Sequence, residues 1–122
     1  MDLFIDTADK EKTIVCLKKS GKEIGSAVIK NNFDQAEKLL PQIDRLLDEN
    51  QLGKQDLKNI YVNSRGDSFT SLRVGIITAN ALAFGLGIPV KDFENDSIAK
   101  ENIEMVKPKY SMEPKITIKK SD

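Results

Sequence analysis

Histidine is absent from this 122-residue chain, and cysteine occurs once. Without histidine no Ser-His-Asp or Cys-His pair can form, and the commonest general base and zinc ligand are both missing. Most familiar hydrolase mechanisms are thereby excluded. Cys16 has no partner for an internal disulfide, and in the run Ile14-Val15-Cys16-Leu17 it is expected to pack as a small hydrophobe. An excess of charge is also lacking, because Lys plus Arg and Asp plus Glu both number 19. No overall positive field gathers nucleic acid or anionic membrane, so direct tight tRNA binding is not expected. The lysines at 107, 109, 115, 119 and 120 read as a solvated basic end. No apolar run reads as long enough to span a bilayer, and residues 1–10 lack the charged start and apolar stretch of a secretion signal. The expected compartment is the cytoplasm, without membrane contact. The Gly-rich phosphate cradles G-x-x-x-x-G-K-[ST] and G-x-G-x-x-G do not occur.

What is present reads as one α/β domain, since a chain of this size builds one core. Residues 3–5, 13–17 and 23–29 are strand-like runs, with Ser20-Gly21-Lys22 as a turn and Gly25 marking a bulge, which together predict an antiparallel meander. From residue 33 the pattern changes. Ala36, Leu39, Leu40, Ile43, Leu46 and Leu47 form a helical stripe that stays in phase across Pro41, so one bent helix is expected, stopped by residues 50–53. Leu57 caps a short turn before a strand at 60–62. A polar hinge at 63–68 leads to a second long helix over 69–86, with Ser68 or Thr70 as its N-cap, ended by Gly85, Gly87 and Pro89. A last strand at 90–93 should run parallel to its predecessor by the right-handed crossover rule. A short helix is expected at 97–105, and an extended tail at 107–122.

The second helix is apolar on nearly every side, with only Arg73, Thr78 and Asn80 interrupting. Such a helix must be covered all round, and the sheet of a small domain covers one side. Cover for the other side comes from the first helix, a partner, or both. Gly75, Ala79 and Ala83 recur at four-residue spacing, which would let another helix approach closely.

Among chemical motifs, Gly66-Asp67-Ser68-Phe69 resembles the start of some lipases but lacks the required histidine. Asp6, Asp67 and Glu37 are candidate carboxylates for a metal-dependent nuclease of the ribonuclease H type, weighed against a solvated strand-end Asp6.

The order of three meander strands, helix, strand, helix and strand resembles half of an actin-like ATPase. Leu3-Phe4-Ile5-Asp6-Thr7 is similar to the opening strand of the TsaB (YeaZ) family, and residues 36–44 to its Leu-Leu-Pro-x-Ile helix. Residues 64–75 are similar to its Gly-Pro-Gly-Ser-Phe-Thr-Gly-Leu-Arg-x-Gly signature, with Asp67 and Ser71 replacing a proline and the second glycine. Residues 81–90 continue the likeness, and residues 108–114 are similar to the family's Pro-x-Tyr-Leu-Arg-x-Pro ending, departing at Ser111 and Met112. The resemblance implies an actin-like, ribonuclease H-like subdomain at 1–106 with a five-stranded mixed sheet of order 3-2-1-4-5, most of a second domain being missing. It implies a non-catalytic scaffold without cofactor or metal. Its partner would be the TsaD threonylcarbamoyltransferase of tRNA threonylcarbamoyladenosine synthesis, with a TsaE-like ATPase in the same assembly. The implied interface lies on the two long helices, at Ala36, Leu39, Leu40, Ile43, Leu47, Arg73, Ile76, Ala79, Asn80 and Ala83. The alternative is a homodimer through the same helices.

Overall fold

A computed structural model describes residues 1–30, 34–66 and 68–93, together with the backbone of 109–110. The helix expected at 97–105, most of the tail and Asp67 lie outside the described residues.

Strands β1 (Asp2–Asp6), β2 (Lys12–Lys19) and β3 (Lys22–Lys30) form the meander. Alternation sorts their side chains: Leu3, Ile5, Thr13, Val15 and Leu17 point to the core face, while Phe4, Ile14 and Cys16 point to the other. Ser20 and Gly21 both take positive φ, 53° and 81°, the mirror-image two-residue turn whose twist matches its strands. The bulge falls where the glycine signals it. Leu17 pairs with Gly25 and Lys18 with Glu23, leaving Ile24 as the extra residue.

Helix α1 (Gln35–Glu49) runs unbroken through Pro41, which faces outward. Proline removes the bond to the Glu37 carbonyl there, and the exposed helix face leaves that oxygen to water. The helix is seated by Leu39, Ile43, Leu46 and Leu47, and by Gln35, whose Nε2 donates to Thr13 Oγ1 at 2.6 Å. It stops at Asn50, and the left-handed residue is Gln51 (φ 60°) rather than Gly53, which is extended and starts the 3₁₀ turn Lys54–Asp56.

Beyond β4 (Asn59–Val62), a two-residue strand β5 (Arg65–Gly66) interrupts the stretch expected to be a plain hinge. Helix α2 (Phe69–Leu86) begins at Ser68, whose Oγ accepts from Ser71 N at 3.3 Å, and ends at Gly87. Strand β6 (Val90–Asp92) pairs parallel with β4, which pairs parallel with β1. The sheet order is β3-β2-β1-β4-β6, the expected order with β5 set aside, and the fold is of the actin-like, ribonuclease H-like kind. Strand β7 (Lys109–Tyr110) pairs parallel with β5.

Both helices share one core with the inner face of the sheet. The phase of α2 corrects one expectation. Its small residues face inward, where Ala79 and Ala83 are fully buried, and Gly75 lies on Thr7: a Cβ there would stand 2.4 Å from Thr7 Oγ1 and 2.9 Å from its Cγ2. Close approach is made to the protein's own sheet, not to a foreign helix. Six residues assigned to the interface, Leu39, Ile43, Leu47, Ile76, Ala79 and Ala83, are therefore internal core, because each sits on the helix edge that meets the sheet or the neighbouring helix. A second correction concerns membrane length. By length and composition α2 is apolar enough to cross a bilayer, although one side of it is packed into the domain.

Two outcomes follow from this packing. An isolated helix gains about 1 kcal/mol from Gly→Ala. Here Gly75→Ala should instead destabilise by about 1–3 kcal/mol, because the methyl overlaps Thr7. In urea unfolding, Thr7→Ala added to Gly75→Ala should recover most of that loss; no recovery would mean that Thr7 is not the obstacle. Ala79→Glu should cost several kcal/mol by burying an unpaired carboxylate, while Ile77→Glu, two residues away on the exposed side of the helix, should stay within about 0.5 kcal/mol of the parent.

Candidate docking surface

With Leu72, Gly75, Ile76, Ala79 and Ala83 turned inward, several large residues of α2 are left outward. Phe69, Ile77 and Phe84 are 37%, 60% and 72% exposed, and Leu40 of α1 is 40% exposed. Arg73, also exposed, places its guanidinium 5.7 Å from the Phe69 ring centroid, a cation–π contact at the start of the stripe. From Phe69 to Phe84 the stripe runs about 22 Å along the helix, at 1.5 Å per residue.

A groove of about 430 Å³ lies where α2 meets the start of α1, lined by Ala36 of α1 and by Phe69, Thr70, Arg73, Val74, Ile77 and Thr78 of α2. Leu40 is one turn along from Ala36 and so shares its helix face. Of the ten residues expected at an interface, Ala36, Leu40 and Arg73 are exposed and Asn80 is half-buried; the other six are core. Phe69, Ile77 and Phe84 are exposed large apolar residues outside that set. The signal that finds them is residue size: once Leu72, Gly75, Ile76, Ala79 and Ala83 are taken as the inner edge, the 69–73–77–84 edge must face out. Charges on the outer side of α1 are paired locally, Lys38 with Asp34 at 3.1 Å and Arg45 with Glu49 at 3.3 Å. Exposed pairs of this kind contribute little to stability.

The carboxyl ends of the parallel strands are the other place where such sheets bind ligands. Here the polar groups are turned on one another. Asp6 Oδ1 accepts from Ala8 N at 3.0 Å and from Asn63 Nδ2 at 3.2 Å. Asn63 Oδ1 accepts from Arg65 N at 3.0 Å, and the buried Ser64 hydroxyl donates to the buried Asp92 carboxylate. A cleft of about 570 Å³ remains beside them, lined by Ala8, Asp9, Lys10, Gly66 and Ser68. Among the described residues no three His, Cys, Asp or Glu side chains gather as a metal site; Glu37 stands on the outer side of α1 and Asp67 lies outside the described residues. Cys16 is buried on the sheet face opposite the helices, where desolvation pushes its thiol pKa up and the neighbouring Glu23 adds to the shift.

The chain is similar to YeaZ from Pseudomonas aeruginosa at 30% identity and a TM-score of 0.68, over 75% of this chain and 42% of that one. It is equally similar to a Pseudomonas aeruginosa protein described as having similarity to peptidase YEAZ, at 30% identity and a TM-score of 0.68, over 75% of this chain and 41% of that one. The chain thus spans about two fifths of the length of these solved structures. No curated protein matches it. Residues 33–94 match the family model described as TsaD, tRNA N6-adenosine threonylcarbamoyltransferase, and this stretch carries α1, β4, α2 and β6. Since the match takes in half of the 122 residues, and three quarters of the chain aligns with YeaZ at 30% identity, the chain belongs to the TsaD family.

Proposed function

We propose that this chain is a non-catalytic companion subunit of the TsaB (YeaZ) kind in a shortened form. It binds a TsaD threonylcarbamoyltransferase through the outer faces of α1 and α2, and so supports threonylcarbamoyladenosine modification of tRNA in the cytoplasm. One observation carries the reading: an apolar stripe of Phe69, Ile77 and Phe84 stands on the surface of a helix that lies wholly within the family match. Exposed apolar patches of that kind mark interaction sites. Leu40 and Ala36 widen the patch, Arg73 and Asn80 give it polar anchors, and aromatic and arginine side chains are the usual centres of binding energy.

The turn after β1 supports the absence of nucleotide chemistry in this reading. Residues Asp6-Thr7-Ala8-Asp9 contain no glycine, and the Ala8 amide that would face a phosphate is already held by the Asp6 carboxylate. A carboxylate in that position repels an anion. Calorimetry of the isolated chain with ATP and magnesium should therefore register no micromolar binding; a saturating micromolar isotherm would refute a nucleotide-free role.

Docking is tested by co-purification with TsaD from the same organism. Ile77→Glu and Phe84→Glu should each weaken the complex by about tenfold or more, roughly 1.4 kcal/mol, without changing the circular dichroism spectrum. Retention of both variants at parental affinity would remove α2 from the interface. Light scattering of the chain alone separates the second occupant: a dimer dispersed by the same two substitutions would mean that the stripe serves self-association.

A further inference from the structure

The loop in front of α2 is held at its beginning and at its end. Asn63 N donates to Ile5 O at 3.1 Å and Ser64 is fixed to Asp92, while Ser68 caps the helix. Between these anchors, Arg65–Gly66 pairs with no strand of the main sheet. It pairs instead with Lys109–Tyr110, in parallel, with Arg65 opposite Lys109 and Gly66 opposite Tyr110. Gly66 also touches the turn after β1: a Cβ there would stand 2.7 Å from Ala8 Cβ and 3.1 Å from Ala8 Cα. Glycine is needed because backbone meets backbone at that point. Gly66 thus joins a turn near residue 8 to a strand at residue 109, and it lines the 570 Å³ cleft with Ala8, Asp9, Lys10 and Ser68.

We propose that Lys109–Tyr110 is an intramolecular strap, an extended segment of this chain that occupies the Arg65–Gly66 edge by strand addition. It holds the middle of the loop against Ala8 and so fixes one wall of the cleft. Strand addition works through main-chain pairing of an extended segment with a strand edge, and the parallel register of Arg65–Gly66 with Lys109–Tyr110 is that arrangement. A two-stranded pair this short is marginal alone. The strapped and released states therefore exchange, and the loop keeps only its end anchors when the strap is off. This inference does not depend on what docks on α2.

The test compares the full chain with its Lys109→Pro/Tyr110→Pro variant by hydrogen–deuterium exchange, since proline has no N–H to give to a ladder. Amides of residues 64–68 should exchange roughly fivefold faster or more in the variant, with β1, β2 and β4 unchanged, and a peptide of residues 107–114 added in trans should restore protection. A second variant, Cys16→Ala/Arg65→Cys/Lys109→Cys, should form an intramolecular disulfide under mild oxidation, because directly paired positions fall within the roughly 4.4–6.8 Å Cα separation a disulfide spans. Unchanged exchange in a folded proline variant overturns the strap. Should that variant lose its circular dichroism signal, the cysteine pair decides: thiols that stay reduced, or that link only between molecules, overturn it as well.

Discussion

The contact of Gly75 with Thr7 sets how closely α2 lies on the sheet, and the surface chemistry of the protein follows from it. A hydrogen atom at position 75 lets the helix backbone settle onto the end of β1, with Thr7 fully buried beneath it and its hydroxyl without a hydrogen-bond partner among the described residues. A buried hydroxyl of that kind costs free energy, so the site is held by packing rather than by polar pairing. With Gly75 down, Leu72, Ile76, Ala79 and Ala83 must also face the core, because residues three and four apart share a helix face. Phe69, Ile77 and Phe84 are then left outside whatever their hydrophobicity. The exposed stripe is the geometric remainder of how the inner edge was chosen.

That dependence explains which parts of the structure were legible in the amino-acid sequence. The sheet was legible because strand signals are local: alternation in residues 3–17, a two-residue turn at Ser20-Gly21 and a glycine at the bulge each specify their own neighbourhood. The helices were legible for the same reason, with Ser68 one of the two residues read as the N-cap of α2. The phase of α2 was not. A helix with apolar residues on all sides has no polar face to point away from the core, so periodicity alone leaves its rotation undetermined. Small residues at four-residue spacing announce a close approach without naming the surface approached. Here it was β1, and six of ten residues expected at an interface became core. Strand β5 was illegible for another reason, since its partner is remote in sequence and two residues carry no period.

At the carboxyl end of the sheet the polar side chains are arranged to satisfy one another. Asp6 bonds the turn that follows it and the strand end beside it, Asn63 bonds both Asp6 and Arg65, and Ser64 bonds Asp92 across β4 and β6. Each of these groups in isolation resembles the start of a ligand site, and Asp6 on sequence grounds was weighed as a metal carboxylate. Their mutual hydrogen bonds tie the first turn, the loop before α2 and β6 into one unit. The same end of the fold that carries ligands in open α/β sheets is here a clasp that holds α2 at its start.

The two faces of the sheet differ in how their aromatic residues are covered. On the face away from α1 and α2, Phe4 stacks on Tyr61 with ring centroids 4.5 Å apart and planes 4° from parallel, and Phe93 tilts against Phe4 at 5.9 Å. Lys18 stands 4.6 Å over the Phe4 ring and Lys91 5.6 Å over the Tyr61 ring. The stack is thus closed at each end by a lysine whose ammonium stands over the ring face, a cation–π contact. Cross-strand rings of this sort add to strand pairing across β1 and β4 while presenting charge rather than bare aromatic surface. On the helix side Arg73 sits at one end of a stripe whose other large residues, Ile77 and Phe84, remain 60% and 72% exposed. An apolar partner would gain buried area on α2 without displacing a lysine, and that difference between the two aromatic-bearing faces is what favours the helices in the docking proposed above.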